Sequence, residues 1–462
     1  MSQVITQEPK SSGIGTERRF YAIVAALAAV VAIGAYAWIV ELENGLVVTD
    51  MRDIVSWGLY ISLFAWLVGV SAGGLIVSSA AAVFKIKQWQ PISKLANLLA
   101  SVAIALAAFS ILPDLGRPDR ILNLFLYPQL NSPLIWDIII IMTYLIISVA
   151  ELGLMINADN ARKLGNETKY LSRERIVRSI AFVALPVAVI THSVTAWIFG
   201  LQISRPAWNT ALLAPLFLAS ALASGLALVI LVSVLSNRFS KVRVDREALS
   251  GLATLLGVVI LVDLFLLASE YITAIWPATP AEVSPLLTEF FGPYWWLAWT
   301  QWGLAITAFA LVAYPKLRHS AAAQMTAAVM VLLEVFFYRL ELVIPAFVNP
   351  LVQYPPGTST GTLTGGISNT LNGMSTFNPG LSFQLSGSYF PSLVEWAIAI
   401  GIIACVALLI LLGVHFLPLN PVEEPTSAHS SSNPNARATA ATELTLPSTA
   451  GRESTTSPSN NN

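Results

Sequence analysis

Long apolar runs separated by short polar breaks make up most of the chain. Ten of them reach the roughly 20 residues that a helix needs to cross a ~30 Å hydrocarbon core. They are Phe20 to Val40, Ile54 to Phe84, Leu95 to Leu112, Leu134 to Ile156, Ile176 to Gly200, Ala207 to Leu235, Leu249 to Trp276, Trp295 to Tyr314, Ala322 to Ile344 and Phe390 to Phe416. The pattern predicts an all-α, polytopic integral membrane protein with ten transmembrane helices. Two polar regions stand apart. Pro355 to Phe390 is rich in Gly, Ser, Thr and Asn and has no charge. It is long for a connection, and reads either as a cap or docking surface for an extracytoplasmic partner or as a loose loop. Residues 418–462 have the Ser/Thr/Pro/Asn composition of a disordered tail. With a polar stretch over 1–19, the transmembrane domain is expected at 20–417.

The distribution of Lys and Arg tests the span count, because cytoplasmic loops carry the excess of basic residues. With the N-terminus inside, twenty of the 25 Lys and Arg fall on inner segments. Arg52, Arg117, Arg120 and Arg205 fall outside, and Arg339 lies within a span. A miscounted helix would scramble this alternation. Both ends are therefore expected on the cytoplasmic side of a cell inner membrane. The first apolar run has no small-residue cleavage site and is read as a retained helix.

Composition narrows the chemistry. Only 11% of residues are charged and 55% are hydrophobic, with a net charge of −1, so nothing favours nucleic acid. A single cysteine, Cys405, excludes an internal disulfide, an iron–sulfur cluster on the chain's own thiolates and covalent haem. Haem b would need two histidines at matched depth, yet His319, His415 and His429 all lie at or beyond the inner ends of spans, and none can partner His192. No haem or metal is expected on this chain.

Ionisable groups inside spans are costly and mark functional sites. His192 lies eight residues before Gly200, roughly 12 Å below the outer end of its helix. Glu270 lies about 9 Å below Trp276, Arg339 about 7 Å below Ile344, and Asp263 about 20 Å deep. Asp263 and Glu270 are seven apart, on one face, and suit proton transfer outward. Each has a plainer reading: His192 as a hydrogen bond to a neighbouring helix, Asp263 as one half of a structural pair, Glu270 and Arg339 as partners across a helix interface. Trp57, Tyr60 and Phe64 recur at i, i+3, i+7, the spacing of an aromatic stripe that would hold a flat ligand or serve as an interfacial belt. Ser71 to Gly74 continue that helix with small residues that admit a close neighbour. Asp137 and Glu395, near helix starts, read as snorkelling or capping groups. Glu151 and Glu334 lie deeper or nearer the inner side and are candidates for extending a proton path inward. Asp114, Arg117, Asp119 and Arg120 share an outer loop, facing a partner or pairing among themselves.

Several segments resemble the polysulfide-reductase membrane subunit (NrfD-like) family. They are WGLYISLFAWLVGVSAGG, LGRPDRILNLFLYPQLNSPLIWD and HSVTAWIFGLQISRPAWNTALLAPLFLASALASG, while VFFYRLELVIPA and YFPSLVEW resemble its ten-helix branch. The resemblance implies two four-helix bundles, helices two to five and six to nine, flanked by the first and last. It implies a quinone-interacting subunit of a multi-subunit oxidoreductase, without a redox cofactor of its own. Its quinone (menaquinone or ubiquinone) pocket is expected near the outer face of the first bundle, among His192, Trp57, Tyr60, Phe64 and Arg339, with Asp263 and Glu270 moving protons. The partner implied is an extracytoplasmic iron–sulfur subunit, alone or with a molybdopterin or multihaem cytochrome subunit, docked on the loop of Asp114, Arg117 and Arg120. The alternatives are a secondary transporter, for which no matched pair of broken helices is found, and a purely structural anchor.

Overall fold

Every predicted span is a helix in the computed structural model, which describes residues 13–52, 54–239, 244–349 and 388–420. In chain order these are α1 (Gly13–Asn44), α2 (Leu59–Val83), α3 (Gln90–Ser110), α4 (Pro133–Lys163) and α5 (Glu167–Gly200). They continue with α6 (Leu213–Phe239), α7 (Arg246–Ile275), α8 (Trp295–Ala313), α9 (Ala321–Val348) and α10 (Leu393–Phe416). No strand occurs among the described residues. Nine of these helices are long and apolar enough to cross a membrane by length and composition. The tenth, α9, has 28 residues, about 42 Å at 1.5 Å per residue, and differs in carrying the buried Glu334, Arg339 and Glu341.

The helices pack as two groups of four. In the first, α2 lies on α3 and α5 while α4 closes the group against α3 and α5; in the second, α6 and α8 each pack on α7 and α9. The groups meet along α2, which touches both α6 and α9. The flanking α1 and α10 pair with each other, and α10 rests on α3 and α2. The seam between α2 and α6 is made by glycines. A Cβ on Gly73 would lie 2.5 Å from the Gly225 Cα, and one on Gly225 would lie 2.3 Å from the Gly73 Cα. The small-residue run read from the sequence thus sits where another helix comes closest. Gly73→Leu is expected to force the helices apart and cost about 1–3 kcal/mol of stability, read as thermal unfolding in detergent. Gly153→Ala on α4, where nothing lies within 4 Å, is expected to be harmless.

Helix ends depart from the sequence reading in ways that affect the site. The second span begins at Leu59, because Gly58 (φ −139°, ψ −130°) breaks the helical path, so Ile54 to Trp57 form an irregular entry instead of the first turns of the helix. Helices α4 and α5 run past the expected inner limits as a hairpin whose turn is closed by Gly165 at φ +70°, the left-handed conformation that glycine accepts most readily. Asn166 caps α5 by accepting from the Lys169 N–H at 3.0 Å. A short helix, Pro280–Phe290, lies at the outer end of the second group against α7, α8 and α9; its 11 residues are too few for an apolar run of spanning length. The uncharged connection expected as a cap falls mostly outside the described residues, as do the C-terminal tail beyond residue 420 and the first twelve residues.

Candidate functional site

Arg339 is the centre around which the buried polar groups gather. Its side chain is fully buried on α9. The guanidinium sits 3.8 Å from the Phe217 ring centroid and 5.0 Å from that of Tyr338, and Nη2 donates to Ser220 Oγ at 2.6 Å. Nε and Nη1 have no hydrogen-bond partner. Ser62 on α2 donates to the Arg339 carbonyl at 3.1 Å, fixing α9 against the first group. Asp263, Glu334 and Glu270 lie within its electrostatic reach, as does His192 on α5. A buried cation amid these carboxylates offsets part of the cost of ionising them in a low-dielectric interior.

His192 is completely buried, and neither Nδ1 nor Nε2 has a partner. One turn further along α5, Thr195 donates to Asp137 Oδ1 on α4 at 2.6 Å. Asp137 therefore does not snorkel or cap. It is enclosed because α4 begins at Pro133, which places Asp137 a full turn inside, facing α5. Deeper in the first group, Glu151 is fully buried with both oxygens unpartnered. Glu334 on α9 accepts from Gln301 on α8 at 3.3 Å, and Asp263 Oδ1 is unpartnered.

The expected aromatic stripe is not formed. Trp57 precedes α2 and packs outward against Phe199, Trp208 and Phe347, with centroid separations of 5.9, 6.1 and 5.9 Å. Tyr60 is buried with its hydroxyl donating to Glu41 on α1 at 2.5 Å, and Phe64 is buried in the α2 core. Phe199 is seven residues beyond His192 and Phe347 eight beyond Arg339, so the Trp57 cluster roofs the outer end of the region that holds both. Arg205 closes this roof, lying 4.0 Å over Phe347 and donating to the Ala346 carbonyl at 2.6 Å.

A cavity of about 320 Å³ opens beside the short helix Pro280–Phe290 of the second group. Its walls include Trp208, Glu270, Tyr271, Glu289, Tyr338 and Glu341, but none of His192, Trp57, Tyr60, Phe64 or Arg339, and it lies in the second group instead of the first. Glu270 thus connects the Arg339 region to this cavity. Tyr271 donates to Glu289 Oε1 at 2.9 Å; burial nonetheless pushes the Glu289 carboxyl up to about 8, with Glu270 adding to the rise. The unpartnered Glu341 carboxylate and Tyr338 hydroxyl border the same space. Sequence reasoning missed Glu289, which belongs to a short helix outside the spans, and also Tyr271, Tyr338 and Glu341, although each stands within two residues of Glu270 or Arg339 on the same span.

A second acidic group ties the C-terminal ends of α1 and α3 to the N-terminal ends of α2 and α10. Glu395 forms a capping box with Ser392 and also accepts from the Asp50 N–H at 2.9 Å, which fulfils the capping expectation and extends it. Tyr389 donates to Glu395 and accepts from the Leu59 N–H at 2.8 Å. Asp114 belongs to this group and not to a partner-facing pair with the loop arginines: Arg117 instead holds the exposed Asp119 through two 3.0 Å bonds, and Arg120 is exposed. Burial, then Glu41 and Glu395, push the Asp114 carboxyl from its ordinary 3.8 up to about 8. The folded chain then holds this proton more tightly than an unfolded one, so the associated stability is full below 3.8 and lost as pH rises towards about 8. Asp114→Asn is expected to flatten that decline and to stabilise the chain at pH 8 by about 1–3 kcal/mol, measured by thermal unfolding in detergent across pH.

Comparison with known proteins accords with this architecture. Residues 47–350 match the family described as Polysulphide reductase, NrfD, and the chain belongs to that family of integral membrane proteins. It is 36% identical over 424 residues to a protein of Halobacterium salinarum named as a dimethyl sulfoxide reductase membrane subunit, covering 89% of this chain and 94% of that one. It is 30% identical over 414 residues to the Hdr-like menaquinol oxidoreductase integral membrane subunit of Archaeoglobus fulgidus, covering 88% and 95%. It is 27% identical over 431 residues to a selenate reductase subunit of Mesobacillus selenatarsenatis, covering 87% and 95%. Among the described residues no group of three or more His, Cys, Asp or Glu could hold a metal ion.

Proposed function

We propose that this chain is the quinone-reactive membrane subunit of an oxidoreductase complex. It would exchange electrons between the quinone pool and an extracytoplasmic iron–sulfur subunit, with a molybdopterin or cytochrome subunit beyond it. The observation that carries the reading is the pair of fully buried side chains His192 and Arg339, both with unpartnered nitrogens, beneath the aromatic roof. A quinone needs hydrogen bonds at two ring oxygens and apolar walls for the ring, and orphaned donors in a dry site fit that need. Bound there, it would carry electrons and protons between lipid and protein. His192 would hold one oxygen by a hydrogen bond from a ring nitrogen that has no other partner and exchange that proton with the quinone oxygen. Arg339 would orient the other through its two unpartnered nitrogens, and Asp263 and Glu270 would pass protons to the outer cavity. Phe64 and Tyr60 support the α2 wall behind the site. The chain would supply position and proton routing while metal centres on the partner transfer electrons. The basic-residue count supports cytoplasmic termini, with the exposed Arg117 and Arg120 on the partner side.

The test is purification of the intact complex followed by titration with a quinone analogue bearing a photoreactive group. Labelling of α5 or α9 peptides, with an iron–sulfur protein co-purifying, is the expected result. A chain that purifies without such a partner points to transport. Absence of labelling in an assembled complex leaves only an anchor, and either outcome overturns the proposal.

A further inference from the structure

The cavity beside the short helix Pro280–Phe290 holds more acid than the passage of a proton from Glu270 requires. Four carboxylates line it: Glu270 from α7, Glu282 and Glu289 from the short helix, and Glu341 from α9. No Lys, Arg or His is among its described lining residues. The arginines of this region are engaged elsewhere. Arg205 lies over Phe347 and donates to the Ala346 carbonyl, while Arg339 packs on Phe217 and bonds Ser220. The field of Arg339 reaches Glu270. Glu341 instead feels Glu289 and Glu334, and Glu289 feels Glu270, so each adds negative charge to the next. Two groups in this wall are both enclosed and unserved. Glu341 is 4% exposed, and neither carboxylate oxygen has a hydrogen-bond partner. One turn earlier on α9, Tyr338 is 6% exposed and its hydroxyl has none either. A buried carboxylate without a donor or a counter-charge is costly.

We propose that this cavity binds a protonated primary amine, a short aliphatic ammonium ion. Such a group carries several N–H donors and no acceptor, which is what the Glu341 oxygens and the Tyr338 oxygen lack. Its charge would offset the carboxylates through charge-assisted hydrogen bonds. Trp208, Tyr271 and Tyr338 add aromatic surface, which attracts a cation. Leu286, Leu342 and Pro345 give the hydrocarbon part apolar contact. A bare metal ion suits the wall less well, because among the described residues no three His, Cys, Asp or Glu are placed to hold one. An ammonium group also heads phosphatidylethanolamine, but a phosphate sits close beside it there, and the described wall offers that phosphate no cation. The soluble amine is therefore favoured. The inference rests on the cavity alone and not on quinone binding.

The experiment takes the full chain in its purified complex, in detergent, and titrates it with n-butylammonium chloride, following the heat of binding and thermal unfolding. Saturable binding with a raised melting temperature is expected. Sodium chloride at equal ionic strength and neutral n-butanol should produce neither. Glu341→Gln, which removes the charge and keeps the volume, should weaken binding about ten- to a hundred-fold, the range for a hydrogen bond to a charged group. Tyr338→Phe should weaken it about two- to ten-fold. Ala274→Phe narrows the cavity and keeps every carboxylate; it should weaken binding as well, and is the decisive variant if Glu341→Gln does not fold. Glu17→Gln with Glu43→Gln, at exposed positions of α1, should leave binding unchanged and so separates a built site from general surface charge. If phosphatidylethanolamine in mixed micelles displaces the butylammonium ion, the ammonium site stands with a lipid as its occupant. Absence of saturable binding, an equal effect of sodium chloride, or unchanged butylammonium binding by folded Glu341→Gln or Ala274→Phe overturns the proposal.

Discussion

His192→Ala is expected to lower quinol-linked turnover of the assembled complex by about 10²- to 10⁴-fold, the usual contribution of a positioned proton-transfer group. The ring is fully enclosed, and neither nitrogen is engaged elsewhere in the fold. Removing it breaks no hydrogen bond. The loss of the imidazole leaves a small void whose cost in stability is about 2–4 kcal/mol at most, by analogy with other buried truncations. Assembly and catalysis should therefore separate: the complex forms, and electron exchange with a water-soluble quinone or quinol analogue falls by that factor. Lowered turnover with normal subunit stoichiometry is the expected measurement. Full turnover in an assembled His192→Ala complex would remove the residue from the site.

Arg339→Leu carries the largest expected effect on folding. This guanidinium is buried, stacked on Phe217, bonded to Ser220 and set in the field of Asp263, Glu270 and Glu334. Deleting one partner of a buried charged group typically costs about 3–5 kcal/mol, because the remaining charges are left uncompensated. Accumulation of the chain in membranes should fall sharply. Arg339→Lys offers a finer test: the charge remains, but a single ammonium cannot keep the planar contact with Phe217, bond Ser220 and leave two further donors free. The lysine variant should accumulate and yet lose turnover. Equal accumulation of the leucine variant and the wild type, measured by immunoblot of membranes, would refute the compensating role.

The helices are legible in the sequence because a bilayer imposes one strict requirement, a run of about 20 apolar residues, and each expected span coincides with a helix. Along a helix, residue number converts to distance, so counting alone sets His192, Glu270 and Arg339 at roughly 7–12 Å from their helix ends and Asp263 about 20 Å deep; that Asp263 and Glu270 share the field of Arg339 emerges only from the fold. The pattern misleads where the chain leaves the helix. Trp57 lies one residue before the Gly58 break, so its spacing from Tyr60 carries no geometric meaning. Asp137 looks like an end group from its place in the apolar run, yet the start of α4 is itself enclosed on the side that faces α5. Glu41 gives no signal at all, because its partner Tyr60 lies on another helix, and the bond of Tyr389 to the Leu59 N–H likewise joins distant segments that only the fold brings together.

The glycine contact between α2 and α6 bears on how such a protein can work. With Gly73 and Gly225 in backbone-to-backbone contact, the two groups of helices meet at mid-length with no side chain between them. Machines that carry cargo across a bilayer by tilting one half against the other require a lubricated hinge there. A locked joint instead suits a stationary relay, in which only protons, electrons and one mobile lipid-soluble carrier travel. A covalent cross-link engineered across that joint should leave turnover intact.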